Sequence, residues 1–136
     1  MNRREARESA FIIVFQNKFN SNIEEILKDF LSVKNVGKQE KYIKEVVLGC
    51  LLHHKEIDSK IKENLREEWS IERLSHVSIT LLRLGLYEIY YRKDIPITVT
   101  NNEVVNLANI YEGEEAAFFV NGVLGSIQKE IESAAG

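Results

Sequence analysis

Apolar residues recur along this chain at the three- and four-residue spacing of amphipathic helices, and no stretch keeps up the alternation of a β-strand. One proline and seven glycines leave few places where a helix must end. The pattern predicts an all-α protein whose six or seven helices form one compact bundle. The predicted helices cover residues 3–19, 21–36, 39–68, 76–92 and 100–111, with a short turn at 70–75 and a last helix after residue 113.

Residues suited to capping or breaking mark several of the predicted helix ends. Asn2 is placed to cap the first helix, and Pro96 ends the fourth because proline cannot donate to a continuing helix. Gly113 separates the last two helices. Two further pairs have the spacing of a capping box, namely Ser21 with Glu24 and Thr100 with Glu103.

The helix predicted at 76–92 is apolar nearly all round, which is typical of a central helix buried on several sides. Arg83 and Glu88 are the only charged residues between Val77 and Tyr91. Packing alone would not require charged side chains there. Their presence indicates that specific polar contacts are built into this helix.

Length and composition set the class of protein. The 136 residues fit one domain, and a content of 44% hydrophobic and 29% charged residues is typical of a globular protein. The single cysteine, Cys50, excludes an internal disulfide and suits a reducing cytoplasm. No apolar run approaches the roughly 18 residues that a membrane span needs, and the N-terminus lacks the apolar core of a secretory signal. We therefore expect a cytoplasmic protein with no membrane partner.

The sequence carries no recognisable enzyme motif. It has no Walker loop, no dinucleotide-binding glycine pattern and no nucleophile elbow. Cys50 and His54 are spaced to share a metal ion, but no third and fourth ligands accompany them at a recognisable spacing. We predict a non-enzymatic protein with no catalytic residue, no metal and no cofactor.

The formal net charge of −3 requires any nucleic-acid site to be local, because such sites usually carry a basic excess on one face. The first helix is the best candidate, since Arg3, Arg7 and Phe11 follow one another at i, i+4 and i+8. Arginine binds phosphate and stacks on bases, and single-stranded RNA is recognised by such stacking. The alternative is an ordinary amphipathic helix whose first turn is solvated.

The first helix also carries more apolar residues than one face can bury, since six follow one another from residue 10 to residue 15. Some of the large side chains should be exposed, packed on a second layer of the same fold, or docked on a partner. The candidates are Phe11, Ile12, Phe15 and Phe19.

Aromatic and amide side chains cluster near the start of the last predicted helix. Rings beside an amide suit base stacking together with recognition of a base edge. Alternatively, Phe119 belongs to the core and Asn121 caps or bridges helices. Gly122 is expected to permit the close approach of another helix. The cluster consists of Glu115, Phe118, Phe119 and Asn121.

Five segments combine polar or glycine residues with apolar neighbours: Arg3–Ala10, Leu82–Glu88, Arg92–Pro96, Asn102-Glu103 and Phe119–Leu124. Their order and spacing resemble the NusB family of bacterial transcription antitermination factors, over nearly the whole chain. The resemblance implies a single RNA-binding domain, residues 1–136, built from two packed helical subdomains. It also implies a function: binding boxA RNA of nascent ribosomal transcripts together with NusE, a small-subunit ribosomal protein, in an antitermination complex on RNA polymerase.

The resemblance assigns roles to individual residues. The RNA-binding positions it implies are Arg3, Arg4, Arg7, Glu115, Phe118, Phe119 and Asn121. The positions it implies for NusE are Phe15, Phe19 and Ser78. We expect the RNA-binding residues to be exposed and to form one continuous patch, on a monomer or a homodimer.

The chain departs from the family's pattern at a few positions, and two alternative functions stay open. Relatives often carry a charged residue at Ser78, a serine at Ala116, a basic residue at Phe118 and an acid at Gly125. A helical protein–protein adaptor without RNA binding would fit the net charge and the missing cation at Phe118. A NusB-like domain related to ribosomal RNA cytosine methyltransferases is less favoured, because a chain ending at Gly136 leaves no room for a catalytic domain.

Overall fold

The computed structural model of the protein describes residues 1–17, 22–66 and 69–135. Within these ranges the chain forms seven α-helices and two single-turn 3-10 helices, and no strand, so the predicted all-α fold is confirmed. The helices are α1 (Arg3–Gln16), α2 (Ile23–Val33), α3 (Glu40–Leu52), α4 (His54–Glu63), α5 (His76–Tyr91), α6 (Ile97–Glu112) and α7 (Glu114–Ala135). The 3-10 turns are Gly37–Gln39 and Ile71–Arg73. None of the described helices is long and apolar enough to cross a membrane.

The chain divides into two compact units, Met1–Leu52 and His53–Gly136. In the first unit, α1 packs on α2 and α3. Asn2 caps α1 as predicted, because its side chain accepts from the Glu5 backbone while the Glu5 carboxylate accepts from the Asn2 N–H at 2.9 Å. The buried side of α1 carries the small residues Ala6 and Ala10, which let the neighbouring helices approach closely.

The second unit is built around α5, which contacts α4, α6 and α7. Eleven of its sixteen residues are buried, as the apolar pattern predicted for a central helix. Gly85 lies where α6 and α7 pack closely on α5, because a Cβ there would lie 3.4 Å from Leu124 of α7 and 3.4 Å from Val104 of α6. A larger side chain at Gly85 would push those helices apart.

The two charged residues of α5 make the specific contacts that the sequence indicated. Arg83 forms a bidentate ion pair with Asp58 of α4, at 2.8 Å from Nε to Oδ1 and 2.9 Å from Nη2 to Oδ2. Glu88 is fully buried, and its Oε1 accepts a hydrogen bond of 2.8 Å from the Thr100 hydroxyl of α6. The predicted capping role of Thr100 is therefore wrong, since α6 begins at Ile97 with Pro96 before it.

Two further predicted helix boundaries differ from the structure. The single helix predicted over 39–68 is two helices, because the backbone at His53 leaves the helical conformation at φ −103° and ψ 18°. The His53 ring stacks on Tyr91, with ring centroids 4.1 Å apart, and neither glycine nor proline marks this break in the sequence. At α2 the capping side chain is that of Asn22, which accepts from Glu25 N–H, and the predicted cap Ser21 lies outside the described residues.

Candidate nucleic-acid interface

Two of the arginines at the start of α1, Arg3 and Arg7, contact other residues of the first unit. The Arg3 guanidinium lies 4.2 Å from the centroid of the Tyr42 ring of α3, and its Nε donates to Gln39 Oε1 at 2.8 Å. Arg7 lies 5.8 Å from the same ring centroid and is only 2% exposed. A guanidinium stacks on a tyrosine ring by the same electrostatic attraction that would hold it on a base. The expectation that Arg7 is exposed is therefore wrong, because the line from Arg3 to Phe11 faces inward.

Arg4 occupies the other side of the first turn of α1. It is exposed, whereas Arg3 is half-buried and Arg7 is buried. Glu5, next to it in the chain, is exposed as well, so this surface carries both signs of charge. Of the three predicted arginines, Arg4 is thus the most exposed.

The apolar surplus of α1 is partly exposed, as predicted. Ile12 is 37% exposed, and Phe15 is half-buried with its ring centroid 5.9 Å from that of Phe11. Phe19, the second aromatic position expected to face a partner, lies outside the described residues. Ile12 and Phe15 are three positions apart and therefore lie on one side of the helix.

Ser78 does not offer a surface contact. Its side chain is buried, and its hydroxyl donates to Glu112 Oε1 at 3.2 Å, while its backbone N–H donates to Ser75 Oγ at 3.0 Å. Ser78 thus belongs to the capping network at the start of α5. The NusE contact at Ser78 stays a prediction, and the Ser78 hydroxyl is already used within the second unit.

The second unit contains an open cleft of about 720 Å³, formed by the first half of α7, the end of α6 and residues from 64–66 and 69–78. Trp69 and Phe119 stand at this cleft with ring centroids 5.3 Å apart and ring planes tilted by 38°. Phe119 is half-buried, whereas Phe118 is 83% exposed. Phe119 therefore lines the cleft and packs against the Trp69 ring, so it is not an ordinary core residue.

Charged residues of both signs line the same cleft. Arg66 and Arg73 contribute two exposed guanidinium groups from the segment before α5. Glu115 contributes an exposed carboxylate from the first turn of α7. The Glu112 carboxylate is engaged by hydroxyl groups of the α5 capping network. The cleft therefore combines cations, the exposed Glu115 carboxylate and aromatic faces.

The structure does not support the structural roles considered for Asn121 and Gly122, which were a cap or bridge between helices and a close approach of another helix. Asn121 is exposed on α7 and is not among the residues that line the cleft. Gly122 lines the cleft, and a Cβ built on it would meet nothing within 4 Å. The expected close approach of another helix at Gly122 is therefore wrong, and Gly85 has that role instead.

Sequence patterns did not identify Trp69, Arg66 and Arg73 as site residues. Arg66 lies near the end of the helix predicted over 39–68, Trp69 and Arg73 lie beyond that helix, and Trp69 is fifty positions away from Phe119 in the chain. The available signal was the presence of the chain's single tryptophan in a polar stretch. An exposed tryptophan is unusual enough to indicate a contact surface.

The fold and the cleft define a small helical binding protein with an aromatic site at the start of its last helix. A family model described as the NusB family matches residues 4–129, and the chain belongs to that family. The chain is 41% identical to the transcription antitermination protein NusB of Clostridium botulinum (strain Loch Maree / Type A3), over 93% of this chain and 99% of that protein. It is 40% identical to the NusB of Listeria monocytogenes serotype 4a, over 96% and 98% of the two chains.

Solved structures of similar proteins share the fold. A structure of T. maritima NusB superposes with a TM-score of 0.88 at 36% identity, covering 96% of this chain and 92% of that chain. A crystal structure of the antitermination factors NusB and NusE in complex with dsRNA matches with a TM-score of 0.80 at 32% identity, covering 94% of this chain and 96% of that chain.

Proposed function

We propose that this protein is a non-enzymatic transcription antitermination factor that binds RNA together with NusE. The observation that carries the proposal is the match over nearly the whole chain to the NusB of a NusB–NusE–dsRNA complex, at 32% identity and a TM-score of 0.80. The proposed target is a boxA-type strand of a nascent transcript, bound in the cytoplasm within a complex on RNA polymerase.

The proposed RNA-binding residues fall into two groups, one in each unit. Arg4 is the exposed member of the α1 group, and the half-buried Arg3 guanidinium lies beside it in the chain. The α7 group consists of Glu115, Phe118, Phe119 and Asn121. We propose both groups as RNA contacts, the α7 group through its stacking rings and the α1 group through a phosphate-binding cation.

The structure favours Arg4 over Arg7 for a test of the RNA site. Arg4→Ala should weaken binding to a boxA-type single strand, and the slope of log affinity against log salt should fall by about 0.7 for the lost phosphate contact. The melting temperature should not change, since Arg4 is exposed. Titration of labelled RNA at several salt concentrations, followed by fluorescence anisotropy, measures both quantities.

Two matched variants complete the test. Lys28→Ala removes one exposed cation from α2 and should leave RNA affinity unchanged. Arg7→Ala should lower the melting temperature, because it removes a buried side chain that packs near Tyr42. Unchanged affinity and unchanged slope in Arg4→Ala would exclude Arg4 from the RNA site.

The inward-facing arginines and the net charge of −3 favour one second candidate, an adaptor that binds NusE without RNA. That adaptor would bind NusE through the exposed apolar part of α1. The same anisotropy titration distinguishes the two functions, because the adaptor would show no RNA binding with or without NusE.

A further inference from the structure

We infer that the cleft of the second unit is a pocket for one unstacked base of single-stranded RNA, with Trp69 as its stacking platform and Gly122 as part of its floor. The inference rests on the proposed function and adds to it a specific base-binding site. Its residues lie on α7, at the end of α6, and in the chain before and at the start of α5, and none of them is an arginine of α1.

Trp69 is suited to stacking because its ring is fixed by contact with Phe119 and is also exposed to solvent. Its ring packs against Phe119 at 5.3 Å between centroids, while 44% of the residue remains exposed. A ring supported from one side loses little freedom when a base stacks on its other face. Stacking of a base on an aromatic side chain changes affinity by roughly 5- to 150-fold when the ring is removed.

The charged groups at the cleft fit the remaining parts of a nucleotide. Arg66 and Arg73 can contact the phosphate groups on either side of the stacked base. Glu115 is an exposed acceptor that can receive a hydrogen bond from the exocyclic amine of cytosine or adenine. A cleft of about 720 Å³ lies within the size range of ligand sites. This combination favours an amino-bearing base over an apolar peptide side chain.

Gly122 leaves the backbone of α7 accessible at the cleft, with room for a ligand. Glycine in the interior of a helix lowers the stability of that helix, and internal packing usually explains its presence. No heavy atom lies within 4 Å of a Cβ built on Gly122, so the fold itself does not require glycine there. A planar ligand that approaches the backbone of α7 would require it.

Gly125 provides a matched control on the same helix. A Cβ there also meets nothing within 4 Å, but Gly125 does not line the cleft. Gly122→Ala and Gly125→Ala are both expected to raise the melting temperature, because alanine favours the helix. Only Gly122→Ala should weaken RNA binding, and by at least several-fold, since its methyl group would occupy the floor of the pocket.

The single tryptophan gives a direct optical test of stacking. Trp69 is the chain's only tryptophan, so its emission reports on this cleft alone. Short single-stranded RNAs that contain cytosine or adenine should quench the emission, and an oligouridine of equal length should quench it less. Trp69→Ala should bind these RNAs roughly 5- to 150-fold more weakly, whereas Trp69→Phe should keep most of the affinity.

The possible outcomes separate the inference from the proposed function. Wild-type protein that binds RNA without any change in Trp69 emission, together with normal binding by Gly122→Ala, would overturn the base pocket and leave the proposed function standing. Loss of NusE binding with intact RNA binding in Gly122→Ala would make the cleft a protein-docking site and also overturn the inference. Absence of RNA binding by the wild type, with and without NusE, would overturn both.

Discussion

Glu88 is fully buried in the middle of α5, and the Thr100 hydroxyl donates to one of its carboxylate oxygens. A buried charged or polar side chain is costly unless such partners are present. Arg83 is only half-buried, and it forms a bidentate ion pair with Asp58 of α4. The two charges inside α5 therefore join that helix to α6 and α4, and they are structural residues of the second unit.

Removal of the Thr100 hydroxyl should destabilise the protein. Thr100→Val keeps the shape of the side chain but leaves the buried Glu88 with one donor fewer, and the expected loss is about 1.5 to 3 kcal/mol in the free energy of unfolding. Urea denaturation measures it. Thr98→Val is the matched control, because Thr98 is exposed on the same helix, and it should change stability by no more than about 0.5 kcal/mol. Equal effects of the two substitutions would contradict this account of Glu88.

At the scale of elements, Gly113 separates α6 from α7 as the sequence predicted. Its backbone lies at φ 98° and ψ −176°, a conformation that side chains with a Cβ rarely adopt. Its N–H donates to the carbonyl groups of Ala108 and Asn109, and its own carbonyl accepts from Ala117 N–H. One residue thus ends one helix and begins the next, which sets the direction in which α7 leaves α6.

Gly113→Ala should lower the free energy of unfolding by about 1 to 3 kcal/mol, because a residue with a Cβ is strained in this backbone conformation. Steric contact does not contribute, since nothing lies within 4 Å of a Cβ at Gly113. The same substitution at Gly125, inside α7, should stabilise the protein by up to about 1 kcal/mol. Unfolding in urea compares the two variants, and a loss of stability at both positions would show that helix propensity and backbone strain do not explain the difference.

At the scale of the whole molecule, a net charge of −3 limits how much of the RNA affinity can come from phosphate contacts. Stacking and a second protein must supply the rest. Two weak RNA-binding surfaces held on one complex reach a high affinity because the second contact forms at a high effective concentration. This is the physical reason to expect an acidic chain to bind RNA with a partner.

We therefore predict that the complex with NusE binds a boxA-type strand more tightly than either protein alone, by up to about 100- to 10,000-fold. Ile12→Asp should remove this gain by abolishing NusE binding, because an unpaired charge would be buried in an apolar contact. Its melting temperature should stay close to that of the wild type, since Ile12 is 37% exposed.

Calorimetric titration of NusE into the variant measures the loss. Val33→Asp makes the same change at another exposed apolar position of the first unit and should bind NusE normally. Normal NusE binding by Ile12→Asp would place the partner site elsewhere on the protein.

The sequence by itself determined the fold class, the family and several helix ends. Asn2 and Gly113 could be interpreted correctly because caps and breaks depend on hydrogen bonds and backbone angles within a few residues. Pro96 was expected to end α5, but α5 ends at Tyr91 and Pro96 instead precedes the first residue of α6. The apolar pattern of α5 identified the central helix for the same reason, since a helix that is apolar all round must be buried.

Only the tertiary structure decided which side of α1 faces solvent, where the helix breaks at His53, and what stands beside Phe119. Arg7 is buried, with its guanidinium 5.8 Å from the centroid of the Tyr42 ring of α3. Helical spacing alone cannot tell an inward face of α1 from an outward one. Trp69 meets Phe119 because α7 folds back on a segment fifty residues earlier in the chain. Contacts of this kind depend on packing between distant residues, which local patterns do not encode.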